Sequence, residues 1–363
     1  MKIFSTASRF LDKKTTIPVL GLFRLDFKDG SVTVTSTNLD KTFSATVPCE
    51  CRYGDTDAPD WFEMGGESSV LVDGARLSSF LNTVDGVSFV VRDGAGLDKL
   101  TVRHSKGKAS FATTPIDTFP KVPTSIDGEC VSIDGLAEAF KAVLCGTDAD
   151  KVDSANFRNV CELRIESGKF TCTTWDEKRL VVATGEVEGR DCIIQIPIRA
   201  VQTLQTLVNG IVEIRESDNH LFFVVDGQNF VFRKLTTKFP NVVEMMSKAT
   251  FEYGFTCPAV ELGSALETVH SLMDARLKSV KWTLGDDLTL SINNSEVGHV
   301  EQHVAVSPEL QLETGYNLTW LLPIVRQLEG DITCEFMTQQ SPYALRIVQD
   351  NVSFMIGGLS IRN

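Results

Sequence analysis

The segment His299-Val300-Glu301-Gln302-His303 sets two imidazoles around a carboxylate, the ingredients of a hydrolytic zinc site. A helical zinc-protease motif needs its Glu directly after the first His, and here a Val intervenes. The segment alternates like a strand, which would hold the rings about 13 Å apart, whereas zinc takes each ligand at about 2 Å. Gly285-Asp286-Asp287 offers paired carboxylates, but it lies between two alternating apolar runs, where a hairpin turn belongs. Cys145 with the distant histidines could seed a thiol nucleophile, yet its apolar helical surroundings read as core. Arg92-Asp93-Gly94-Ala95-Gly96 reads as a loop, and neither glycine-rich phosphate-binding pattern occurs. The expectation is a protein with no catalytic residues, no metal site and no cofactor.

The 363 residues, 42% of them apolar, suffice for two or three domains with separate cores. Nine cysteines, an odd and scattered set without a Cys-x-x-Cys, do not form a disulfide framework. Cys145, Cys161, Cys172 and Cys334 fall inside apolar patterns and read as reduced core thiols; Cys49-Glu50-Cys51 is the one close pair. No apolar run approaches the ~18 residues of a membrane span. Met1-Lys2-Ile3-Phe4-Ser5-Thr6 lacks a secretory h-region, so a cytoplasmic location is expected. The net charge of −13 argues against a generally basic nucleic-acid binder.

The elements that must position these residues repeat at roughly 120-residue intervals. One unit is an amphipathic helix, a Gly and a strand: Leu77, Phe80 and Val84 before Gly86; Val201, Leu204 and Val208 before Gly210; Leu321, Ile324 and Leu328 before Gly330. The i, i+3, i+7 spacing predicts one buried helix face, with the Gly as left-handed C-cap. Asp73, Pro197 and Asn317 stand at the helix starts, and Pro323 predicts a kink. A second unit is a hairpin, at 25–34, 163–172 and 282–290. Phe119-Pro120 and Phe239-Pro240 close the first two repeats. Further helical faces open the second and third: Leu136, Phe140, Val143 and Leu144, then Leu262, Leu266, Val269 and Met273 after Pro258. The first repeat has a short opening and a truncated first helix. Three α+β domains follow, at 1–122, 123–246 and 247–363.

Lys14-Thr15-Thr16-Ile17-Pro18-Val19-Leu20-Gly21, Ser36-Thr37-Asn38-Leu39-Asp40 and Lys238-Phe239-Pro240-Asn241 resemble segments of the bacterial β sliding clamps (DNA polymerase III beta subunits). So do Asn293-Asn294-Ser295-Glu296-Val297-Gly298 and Gly315-Tyr316-Asn317-Leu318-Thr319-Trp320-Leu321, in family order along the whole chain. The resemblance implies three tandem clamp domains in a head-to-tail homodimer, a ring with helices inside and sheets outside. Such a ring encircles double-stranded DNA without reading sequence. It acts as a processivity factor for a replicative DNA polymerase and is engaged by a clamp loader and other clamp-binding-motif proteins.

By family position, Lys14, Arg76, Lys151 and Arg199 would face DNA; Arg326 sits on the third repeat's helix with its direction open. Lys106, Lys108 and Phe111 would meet Leu272, Glu296 and Glu301 of a second copy, with Gly298 and His299 where carboxylates are common. A cleft for partner peptides would use Trp175, Asp176, Lys178, Arg179 and Leu180 on one segment. Pro240, Met245, Met246, Leu277, Pro342, Ile361 and Arg362 would complete it. Arg179 and Leu180 keep the family pattern; Trp175 and Glu177 replace Thr and Gly, and Ser360 replaces Pro. Met245 and Met246 also read as core filling. Three rivals stand beside this: a trimer of two-domain subunits, an enzyme with an unrecognised thiol or carboxylate site, and a repeat-built binding module without a DNA role.

Overall fold

The computed structural model describes residues 2–12, 16–53, 68–92, 99–123, 130–147, 156–274, 277–294, 296–339 and 341–360. It has a mixed α+β fold of mainly antiparallel sheets and short helices. The first stretch runs α1 (Lys2–Ser8), β1 (Leu22–Lys28), β2 (Ser31–Thr37), β3 (Lys41–Pro48), β4 (Glu50–Tyr53), β5 (Ser68–Asp73), α2 (Gly74–Leu81), β6 (Ser88–Arg92), β7 (Lys99–His104) and β8 (Gly107–Thr114). Next come β9 (Cys130–Ile133), α3 (Leu136–Val143), β10 (Val160–Glu166), β11 (Lys169–Trp175), β12 (Arg179–Glu186), β13 (Cys192–Pro197), α4 (Ile198–Leu204), β14 (Val212–Glu216), β15 (His220–Val225), β16 (Gln228–Arg233) and α5 (Val242–Ser247). Last are β17 (Glu252–Pro258), α6 (Ala259–His270), β18 (Ser279–Leu284), β19 (Leu288–Asn294), β20 (Gly298–Val304), β21 (Leu312–Asn317), α7 (Leu318–Val325), β22 (Asp331–Met337), β23 (Ala344–Gln349) and β24 (Val352–Ile356).

The chain divides into two compact units, Met1–Ser132 with Asn209–Lys234, and Ile133–Val208 with Leu235–Asn363. In the first, a 12-stranded sheet runs β4-β6-β7-β8-β5-β1-β2-β3-β16-β15-β14-β9. In the second, an eight-stranded sheet runs β13-β10-β11-β12-β24-β23-β22-β17, beside a four-stranded sheet β20-β19-β18-β21. Helices pack in pairs: α1 with α2, α3 with α4, α6 with α7. Several hairpins turn on residues whose type suits positive φ, such as Asp29-Gly30, Ser167-Gly168 and Asp226-Gly227. All three hairpins expected from the sequence form, with Gly285-Asp286-Asp287 as the turn between β18 and β19.

The helix starts also match: Asp73 Oδ1 accepts from Arg76 N at 2.9 Å, Asn317 Oδ1 from Thr319 N at 2.9 Å, and Pro197 and Pro258 stand at the caps of α4 and α6. The helix ends are earlier than expected. α2, α4 and α7 stop at Leu81, Leu204 and Val325, so Val84, Val208 and Leu328 lie in the turns that follow. Gly86, Gly210 and Gly330 do hold left-handed φ of 64°, 80° and 74°, but they redirect the chain into the next strand and do not cap the helix. Met273 likewise lies beyond α6.

The first repeat differs in one place that periodicity did not reveal. β17 pairs antiparallel with β22, and β9 lies beside β14. The matching edge of β6 is taken by β4, which runs parallel to it from Glu50↔Ser88 to Tyr53↔Val91. The segment after β3 thus supplies the strand that each later repeat places before its first helix.

Candidate functional site

Side-chain chemistry concentrates at the hairpin turn between β11 and β12. Asp176 Oδ1 accepts from the backbone N of Lys178 at 3.0 Å and of Arg179 at 2.7 Å. Its Oδ2 takes the Arg179 guanidinium in a two-point contact, Nε at 2.9 Å and Nη2 at 2.6 Å, with both side chains 10% exposed. A carboxylate that fixes its own turn and also neutralises a nearly buried cation makes this corner rigid. The guanidinium lies 5.4 Å from the centre of the Trp320 ring.

Next to this corner, Val160, Leu180, Phe239, Val242 and Met355 form a buried apolar cluster, with Phe157, Trp175, Leu235 and Phe251 half-buried against it. Trp175 stacks on Phe157 with ring centres 5.2 Å apart. Arg158 meets Glu177 at 2.5 Å, so the same two segments are joined once by rings and once by charge. The hydrogen bond from Arg158 holds the Glu177 carboxyl below the usual glutamate range, and in return Glu177 raises Arg158. Met245 projects from α5 with 49% exposure, which removes core filling as its role. Pro240 and Pro342 are half-buried, and Pro342 follows a cis peptide bond. Leu277 is half-buried and donates its N–H to Asp274 at 2.7 Å. Ile361 and Arg362 lie outside the described residues, as does the side chain of Met246. Phe157, Trp320 and Met355 were not among the residues expected at the cleft; each comes from a segment distant in the chain and reaches the turn only through folding.

The same turn occurs three times. Asn38 Oδ1 accepts from Asp40 N and Lys41 N, and Asn294 Oδ1 from Glu296 N and Val297 N, as Asp176 does from Lys178 and Arg179. Thr37↔Thr42 and Trp175↔Leu180 bracket the first two turns, whereas Asn293↔His299 brackets the third, which is one residue longer. Each turn leads into a strand that forms the flank of a four-strand set. β3 is paired there by β16, from Gln228↔Ala45 to Phe232↔Lys41. β12 is paired by β24, from Val352↔Ala183 to Ile356↔Arg179. The two registers are the same once the turns are aligned. Phe43 faces Phe230 in one seam, with ring centres 5.3 Å apart, and Val181 faces Phe354 in the other.

β20 is the third strand of this kind, and β8 is the third counterpart of β16 and β24. Among the described residues, no strand pairs with the outer edge of β20, and residues 107–112 of β8 pair only with β7. Lys106, Lys108, Glu296 and Glu301 are exposed along these edges; Phe111 and Leu272 are half-buried, Phe111 against Phe80 with ring centres 5.6 Å apart.

Of the cations expected to face DNA, Arg76 and Arg199 are exposed on α2 and α4, and Lys14 and Lys151 lie outside the described residues. Arg326 is paired with Glu267 at 2.9 Å. Among the described residues no group of three or more His, Cys, Asp or Glu is arranged to hold a metal. Burial raises the Cys145 thiol, whose sulfur accepts from Gln327 Nε2 at 3.0 Å, the opposite of an activated thiolate. Cys161, Cys172 and Cys334 are buried free thiols. No helix is long and apolar enough to cross a membrane.

The Staphylococcus aureus beta sliding clamp is 21% identical over 350 residues, covering 93% of this chain and 90% of that protein. The crystal structure of the Bacillus subtilis DNA polymerase sliding clamp superposes with a TM-score of 0.83 at 16% identity, covering 99% of this chain and 97% of that one. The chain has the β sliding clamp fold. The Thermotoga maritima DNA polymerase III beta subunit gives a TM-score of 0.82 at 18% identity, with 99% and 96% coverage. The sequence homology to β sliding clamps thus runs along nearly the full length of both chains. No family model matches.

Proposed function

We propose that this chain is a sliding clamp: two copies close head to tail into a ring around duplex DNA and tether a replicative polymerase to it. Each copy supplies three clamp domains, 1–122, 123–246 and 247–363. The protein is a scaffold and performs no chemistry itself.

The observation that carries this reading is the pair of seams with one register, left with one open strand of each kind. Carrying that register to the open edges places Gly107 opposite Gln302, Lys108 opposite Glu301, Ala109 opposite Val300, Ser110 opposite His299 and Phe111 opposite Gly298. Directly opposed residues share a face, so Lys108 and Glu301 form a cross-strand ion pair while Ala109 and Val300 meet on the helix side. Two such seams between two copies leave neither edge strand exposed, which answers the aggregation hazard of an open edge.

The net charge of −13 fits threading better than side-on binding. Phosphate attraction needs cations only where DNA passes, and Arg76 and Arg199 with Lys14 and Lys151 would supply it from the helices. The corner at Asp176–Arg179 and the apolar cluster beside it form the dock for short peptides with apolar anchors, from polymerases and the clamp loader. Trp175, Glu177 and the exposed Met245 would set its preference; Met residues adapt to varied partners.

Retention on DNA tests the reading. Loaded onto nicked circular DNA, the protein is expected to stay through gel filtration and to slide off once the circle is cut. Equal retention on both forms would refute topological tethering.

A further inference from the structure

We infer that closure between two copies is proton-sensitive, with His299 and His303 on β20 as the sensing groups; this rests on the ring reading above. His299, Glu301 and His303 occupy alternate positions of β20 and share its outward face, while Val300, Gln302 and Val304 pair with the buried Ile292, Leu290 and Leu288. His303 Nε2 lies 3.1 Å from Glu301 Oε1, its Nδ1 lies 3.1 Å from Asp287 Oδ2 and 3.2 Å from Thr289 Oγ1, and His299 Nε2 lies 3.8 Å from Glu301 Oε2. Glu301, the residue that the transferred register sets opposite Lys108 of the second copy, is therefore flanked by two imidazoles of its own strand.

The charges around this face are unequal on the two sides. On the β20 side, Asn293, Ser291 and Thr289 of β19 are uncharged, and beyond them on β18 and β21 Lys281 and Glu313 neutralise each other at 2.9 Å. Glu301 and Asp287, with the neighbouring Asp286 in the turn, leave it negative. On the β8 side, Lys108 stands opposite Arg103, and Ala112 opposite Lys99, with Lys106 in the turn. His104 lies with its ring 5.8 Å from Phe80, on the helix-facing side. Cations thus meet carboxylates across the seam while the imidazoles are neutral.

Imidazoles gain their proton between about pH 5 and 8. Protonated His299 and His303 would engage Glu301 and Asp287 within their own strand and turn, withdraw those charges from Lys108, and set two further cations against the basic edge of β8. The paired residues of the other two seams include Lys41 and Arg179 but no His, Asp or Glu, so the response is confined to the joint between copies.

Sedimentation equilibrium of the full chain at pH 7.5 and 5.5, at fixed ionic strength, tests this. The dimer dissociation constant is expected to rise about tenfold on acidification. In the double variant His299→Gln, His303→Gln the change is expected to shrink to about twofold or less. Glu301→Gln serves as a second variant: it is expected to weaken the dimer already at pH 7.5 and to blunt the acid response. Circular dichroism at both pH values confirms that each variant is folded. A wild-type constant unchanged by pH, or an undiminished acid response in the double variant, overturns the inference and leaves the ring reading standing. A chain that is monomeric at micromolar concentration at pH 7.5 overturns both.

Discussion

The seams inside the chain and the edges left open outside it share a ladder but not a chemistry. Phe43 and Phe230 join Phe10, whose ring lies 5.6 Å from Phe43 and 5.9 Å from Phe230, and all three are buried. At the open edges the corresponding residues are Ala109 and Val300, with Lys108 and Glu301 on the other face. A fully buried Phe contributes about 1.5–3 kcal/mol by area alone, whereas an exposed cross-strand pair contributes about 0.2–1 kcal/mol. In the proposed ring, repeated geometry therefore allows two joints to be permanent and a third to be reversible, by changing only the side chains along it.

The largest expected effect lies in the permanent joint. Phe230→Ala should lower stability by about 3–5 kcal/mol, measured by urea unfolding, because a close-packed site cannot collapse around the loss. Asp176→Ala should cost about 3 kcal/mol in the same assay, since it leaves the Arg179 guanidinium buried without its partner. A much smaller loss would mean that the turn is held by Trp320 and the backbone alone.

At the reversible joint, Lys108→Glu should raise the dimer dissociation constant about tenfold or more without shifting the unfolding midpoint, and combining it with Glu301→Lys should restore dimerisation. Failure of the rescue would show that the register has slipped. The smallest effect belongs to the exposed pair at the proposed cleft. Glu177 has its carboxyl lowered by Arg158. The contact is therefore complete above the ordinary glutamate range and is lost as pH falls through the lowered value. Glu177→Gln should leave the melting temperature near neutral pH almost unchanged and remove whatever pH dependence the pair adds below about pH 4.5.

Much of this was legible from residue order. Alternation and turn residues announced the hairpins at Asp29-Gly30 and Ser167-Gly168, and Asp73 and Asn317 announced helix starts, because these are local devices. The helix ends were misplaced since Val84, Val208 and Leu328 continue the apolar spacing after the helical hydrogen bonds have stopped. β4 was invisible because a parallel edge strand depends on which edge is vacant, not on its own four residues. The proposed cleft was half legible: Trp175 to Leu180 form one hairpin turn, but Phe157, Trp320 and Met355 join it only through packing across long sequence separations. The register proposed for the open edges was hidden for the same reason; the extra residue after Asn294 shifts the alignment by one, which in that register turns Glu301 from a neighbour of Lys108 into its direct opposite.

The central claim is that register, and cross-linking reads it directly. With Ala109→Cys and Val300→Cys in one chain, mild oxidation should give a covalent dimer with both joints closed, because directly opposed strand residues bring Cβ atoms to about 4.5–5.5 Å, within adjustment of disulfide geometry. Ala109→Cys with Glu301→Cys points the two thiols to opposite faces and should not cross-link. A chain that stays monomeric in the first case, or cross-links equally in both, would contradict the account.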